Sequence, residues 1–423
     1  MIAAIVCAAL VVTSTVDVPQ AWWTTIHLVT LGVLTNGIMQ WSWYFARGIL
    51  RLPPDYRGGA RDAFIRAIAF NASLVALVAG MWAGVIPLVV AAATLVGAAV
   101  AWHGWALASA SRTALGSRFR AVIRFYVAAA ALFVAGCAVA GVLAVGTLDA
   151  HAPAWISDAL DRWALAHSLL MVCGWLGLSI AGTLVTLGPT VLRTKMEDDA
   201  APSAVRALPL LVAAVGVAAV SVLAGWTVVA GVSLAVYGVG LGAWIGLPLA
   251  KATARRGPRE YAAWSMVAGV AWGGLGIAAF AVLIARAPDA AAAQQSAVQW
   301  IPVIGAASVA QIFVGALSYL LPVVVGGGPT PVRTGIATIE TLATARLVVR
   351  NVALVALAVT IGVGSAARWA WWLLVILTFA ADVVALAAAG ARQAKARRAH
   401  REDAFEPLPP LGTRPPVTPT EES

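Results

Sequence analysis

Charge is what this sequence has least of. Charged residues fill 11% of its 423 positions, where an ordinary soluble domain carries about a quarter. Hydrophobic residues fill 61%, which excludes a soluble globular protein and makes this an integral membrane chain. Cysteine is almost missing. Cys7, Cys137 and Cys173 lie in apolar runs without CxxC spacing, so a disulfide framework and a zinc ribbon are both excluded, and each is read as a buried free thiol. No Walker motif, HExxH or GxSxG occurs. The glycine runs "GGLG" (273–276) and "GVGLG" (238–242) follow no strand, so they serve close helix approach and not nucleotide binding. Met1 to Val16 is apolar but has no basic leader and no small-residue cleavage site, and reads as a first span instead of a cleaved signal.

What is present is a succession of long apolar runs. A helix needs about 20 apolar residues to cross a bilayer, and that rule yields twelve spans: 2–16, 24–46, 65–84, 86–109, 121–146, 162–190, 206–228, 230–250, 260–286, 299–325, 345–365 and 368–391. Of the 28 basic residues, 22 fall in the loops after the even-numbered spans or in the tail. The other side holds only Arg162, Arg286 and Arg368. The positive-inside rule therefore puts both termini in the cytoplasm and runs even-numbered spans from outside to inside. The net charge of +10 follows this topology and speaks against a nucleic-acid partner; the expected surroundings are the lipid of the plasma membrane. Most of the 18 tryptophans cluster at the two interfaces as aromatic belts. The expected division is a membrane domain over 1–391 and a tail over 392–423, basic and then proline-rich and disordered.

Histidine is also rare, five in all, and two of the five stand in matching places. His27 in "TTIHLVTLGVLTNGIMQWSWYFA" and His167 in "LAHSLLMVCGWLGLSIAGTLVTLGPTVL" each lie near the outer end of an out-to-in span, with Gly37 and Gly177 ten residues later. They are separated by 140 residues, four spans; another 144 residues lead to Gln311 in "AQIFVGALSYLLPVVVGGG". Twelve spans thus parse as three pseudo-repeats of four helices, and sites in such proteins lie where repeats meet. Polar groups at membrane depth are costly and serve a partner, and neutral imidazole is the commonest metal ligand. His27 and His167 are the candidate ligands, with Gln311 and Met171, one turn from His167, as supplements. Cys173, six residues on, points elsewhere. The plainer alternative is helix-to-helix hydrogen bonding, which is the expected role of Asn36, Asn71, Asn351 and Asp382. Glu340 is expected in an inner loop, paired with Arg333 or Arg346.

Twelve spans in a threefold arrangement, with His27 and His167 near the outer ends of spans two and six, resemble the haem–copper oxidase subunit I superfamily, including the nitric-oxide-response membrane proteins that bind haem and copper. More closely, "HLVTLGVLTNGIMQWSWYFA", "AHSLLMVCGWLGLSIAGTLVTLGPTVLRTKM" and "GALSYLLPVVVGGGP" are similar to the membrane region found in some bacterial proteins beside copper nitrite reductase or multicopper oxidase domains. The resemblance covers about Thr24 to Gly390. It implies an all-helical bundle, one haem b or copper held by His27 and His167, and a copper-domain redox protein as partner. The chain departs from the pattern in two places: span seven has no histidine, and span ten has Gln311 where the resemblance calls for one. A three-histidine copper site is missing, so oxygen reduction at a binuclear centre is not expected. The implied role is electron transfer, or copper or nitrogen-oxide metabolism. Two alternatives stay open: a transporter with a central polar path, and a metal-free scaffold or anchor subunit.

Overall fold

A computed structural model describes residues 20–53, 56, 60–113, 122–361 and 366–404. Among these there is no strand. The first helix, α1, is continuous through Ala21–His27, Leu28–Thr35 and Asn36–Leu50. Then follow α2 (Ala60–Ala83), α3 (Ile86–Thr113), α4 (Ile123–Leu148), α5 (Leu160–Val191), α6 (Ala200–Leu223), α7 (Thr227–Arg255), α8 (Tyr261–Arg286), α9 (Ala290–Val325), α10 (Pro329–Ile339), α11 (Ala343–Val359) and α12 (Ala366–Ala404). Ten helical stretches are long and apolar enough to cross a membrane, with α10 and α11 counted together. The polar residues His27, Asn36 and Gln40 with four threonines keep α1 out of that set, although it is as long as the others. The span expected over 2–16 and the proline-rich tail from 405 lie outside the described residues.

Consecutive helices pack side by side, as short connections require. Gly84 takes a φ of 67° between α2 and α3, a conformation that favours glycine, and Pro87 occupies the first turn of α3, where no amide hydrogen is needed. At the arginine-rich end, Arg193 pairs with Glu260 and Arg255 with Glu197, tying together the loops that flank α6 and α7.

Two segments differ from the expected organisation. The 329–339 stretch, read as loop, is helix α10, opened by Pro329 and Pro331 in its first turn and packed on α12. The basic stretch from 392, assigned to the tail, continues α12 through Ala404. Its Ala, Arg, Lys and Gln residues are strong helix formers. Buried Gln393 also donates from Nε2 to the carbonyls of Pro322 (2.8 Å) and Gly326 (3.0 Å), and Arg397 donates to Val325 O at 2.8 Å. Those carbonyls lie at the end of α9, where helix carbonyls run out of intrahelical partners; Pro322 O also accepts from the Gly326 amide at 3.1 Å.

Candidate functional site

Among the described residues four helices contain a wide π-type turn: α1 at Leu28–Thr35, α5 at Leu170–Gly177, α7 at Gly242–Gly246 and α9 at Gly305–Ala310. Such turns free backbone carbonyls and often mark functional places. In α1 the freed groups are taken by local side chains. Thr35 Oγ1 donates to Thr30 O (2.9 Å), and Asn36 Nδ2 to Leu31 O (3.3 Å) and Gly32 O (3.1 Å). In α5, Cys173 O accepts from Tyr237 OH at 2.8 Å.

Three of these helices, α1, α5 and α9, converge. Trp175 Nε1 in α5 donates to Thr35 Oγ1 in α1 at 3.0 Å. Phe313 of α9 lies so close to Gly37 of α1 that a Cβ there would come within 2.5 Å of the ring, so only glycine fits. Past this contact the helices line a largely apolar, partly open pocket of about 70 Å³, with Leu34, Trp41, Leu176, Ile180, Phe313 and Leu317 among its walls.

On the other side of the convergence, the rings of His27 and His167 stand 6.4 Å apart between centroids, 21° from parallel. His27 stacks on Trp23 at 4.1 Å. Its Nδ1 lies 2.8 Å from Trp23 O, and His167 Nδ1 lies 3.0 Å from Gly136 O in α4. A carbonyl only accepts, so each Nδ1 carries the hydrogen and each Nε2 keeps its lone pair. Among the described residues neither Nε2 has a hydrogen-bond partner. A metal-binding histidine characteristically donates its other nitrogen to a carbonyl or carboxylate, which fixes tautomer and ring orientation. Both histidines satisfy that condition. The donor set therefore fits an iron or copper ion held by two neutral imidazoles; among the described residues no group of three or more His, Cys, Asp or Glu converges on one point.

The other candidates are placed differently. Met171 lies against α4: a Cβ on Gly136 would sit 2.7 Å from Met171 Cε and 3.1 Å from its Sδ. It thus packs on the residue whose carbonyl orients His167. Gln311 is not brought to the histidines by any of its contacts. It follows directly on the π-type turn of α9, as Asn36 follows that of α1. Each makes a reciprocal amide pair with an asparagine of another helix. Asn36 and Asn71 exchange bonds of 3.0 and 2.8 Å; Gln311 and Asn351 exchange bonds of 3.2 and 3.1 Å. In register with the turns, the counterpart of Gln311 is Asn36 and not His27.

Sequence reasoning underestimated one buried network. Asp382 of α12 takes Arg346 on Oδ1 and Arg350 on Oδ2, and accepts from Tyr261 OH at 2.6 Å. Arg350, fully buried, also donates to Thr378 Oγ1 (3.2 Å) and O (3.1 Å) and lies 3.9 Å from the Phe379 ring. Arg346 and Arg350 are four apart on α11 and so share a face; that spacing was the available signal. Glu340 accepts from the Tyr261 amide at 2.8 Å, in place of the expected pairing with Arg333 or Arg346.

Searches of protein-family models, curated proteins and solved structures found no match to this chain.

Proposed function

We propose that this chain is a multi-pass membrane protein in which His27 and His167 hold one haem b iron or one copper ion for electron transfer. The observation that carries the proposal is the pair of neighbouring imidazoles, each with Nδ1 committed to a carbonyl and Nε2 uncommitted. The resemblance to haem–copper oxidase subunit I supports it, as does the placing of two ligands next to π-type turns. A metal held by two imidazoles supplies one-electron chemistry. The protein's own part is to fix the rings: Trp23 by stacking and through its carbonyl, Gly136 through its carbonyl.

The same reading arranges the bundle as twelve spans in three four-helix repeats with both termini cytoplasmic. It is supported by the π-type turns in α1, α5 and α9, a fourth in α7 falling outside that pattern, and by the amide pair in the first and third groups. It places the protein in the plasma membrane beside a copper-domain redox protein. Against the transporter alternative stands Asp382, whose two oxygens are already taken by two arginines and a tyrosine.

The test is a dithionite-reduced minus air-oxidised spectrum with metal analysis of the detergent-purified protein. The proposal expects haem bands, or about one copper per chain, in the wild type. Colourless, metal-free protein with intact helicity after growth with haem precursor and copper would overturn it.

A further inference from the structure

Arg66 of α2 is 2% exposed, and among the described residues it makes no ion pair. Its Nε and Nη2 have no hydrogen-bond partner, and neither has Nε1 of Trp43, a buried neighbour in α1. The guanidinium carbon lies 4.8 Å from the centroid of Trp43 and 5.9 Å from that of Trp102 in α3. The site therefore gathers three unsatisfied donor nitrogens and one positive charge. The other polar groups nearby do not answer them. His103 is engaged through Nε2 with Ser42 Oγ at 2.8 Å. Asp62, one turn earlier on α2, acts on Arg66 only at a distance. Two indoles give cation–π attraction, but they supply no hydrogen-bond acceptor. An uncompensated buried charge is strongly unfavourable, so the arrangement is suited to an anion.

We propose that Arg66 and Trp43 form a binding site for a phosphate group, supplied by the headgroup of an anionic phospholipid. The surroundings favour a lipid as the source. Trp102, Trp105 and Tyr44 are exposed at 42%, 62% and 48%, the kind of aromatic belt found at headgroup depth. Arg112 lies over Trp105 in the same belt. The arginine-rich ends of α1, α2 and α3 face the leaflet surface that concentrates anionic lipids. The phosphate oxygens accept from Arg66 Nε and Nη2 and from Trp43 Nε1, and Trp102, the exposed indole of the two, moves aside to admit them.

The experiment places the full chain in phosphatidylcholine nanodiscs with and without phosphatidylglycerol, reading Tm and, by native mass spectrometry, retained lipid. Wild type should retain phosphatidylglycerol and gain Tm from it. Arg66→Gln should lose both effects, with retention down about tenfold, the loss of roughly one charge-assisted contact. Arg112→Gln, a change in the exposed belt, should keep both. If inorganic phosphate raises the Tm equally in phosphatidylcholine alone, the phosphate site stands and its source is free phosphate. If Arg66→Gln does not fold, Arg66→Lys, which removes the Nε–Nη2 fork, and Trp43→Phe must each weaken retention. A wild type indifferent to both lipid and phosphate, or variants that retain lipid as the wild type does, would overturn the proposal.

Discussion

The pair His27–His167 and the pair Gln311–Asn351 are built from similar materials. Each joins polar side chains of two helices, at membrane depth, next to a π-type turn. They differ in what is left over. The amides close on each other, and their remaining hydrogens go to Ala307 O at 2.7 Å and Leu347 O at 2.8 Å in their own helices. Asn351 Oδ1 also takes Trp272 Nε1 at 2.8 Å. The imidazoles turn their donors toward backbone carbonyls and keep their acceptors unused. Burial and depth alone do not separate these two pairs; the unused lone pairs of the imidazoles do.

The comparison breaks most visibly where the self-contained groups are disturbed. Asp382→Ala strands two buried arginines, and a loss of about 3–5 kcal/mol should appear as a large fall in Tm in detergent. The cofactor bound per folded chain should stay the same. Asn36→Leu leaves Asn71 facing apolar surroundings and should cost about 1–3 kcal/mol. Adding Asn71→Leu should restore part of that loss, because two matched apolar groups need no partner. A double variant as unstable as the sum of the singles would show that these amides do more than satisfy each other. Trp175→Phe removes one bond between α1 and α5, at about 0.5–1.5 kcal/mol. If the two helices position the imidazoles jointly, it should also broaden or shift the absorption bands.

Much of the bundle was legible in the sequence because an apolar run long enough to cross a bilayer has no other stable conformation there. The helices α2 to α8 begin and end within about six residues of the runs that predict them, and α9 begins nine residues before its run at 299–325. The neighbouring places of His27 and His167 were suggested by their spacing, and the asparagines act between helices, as polar residues in lipid do. Other features depend on tertiary contacts. The π-type turns have no compositional mark in stretches as ordinary as "LGVLT" or "GAASVA". Gln311 appeared to match the histidines by residue count, whereas its register is set by a turn that counting does not reveal. The helical course of 392–404 is held by contacts with carbonyls at the end of α9, which only the packed structure supplies. Nothing in the sequence marks Arg66 apart from the other basic residues; its missing acceptors show only once α1 and α3 close around it.

The most direct measurement is haem and metal per chain in the wild type and in His27→Ala, His167→Ala and Gln311→Ala, all purified in the same detergent. The account predicts about one haem or one copper in the wild type. It predicts loss in both histidine variants with stability changed by only about 1 kcal/mol, and wild-type content in Gln311→Ala despite its lower Tm. Histidine variants that keep the wild-type content, or a wild type that binds neither group, would contradict it.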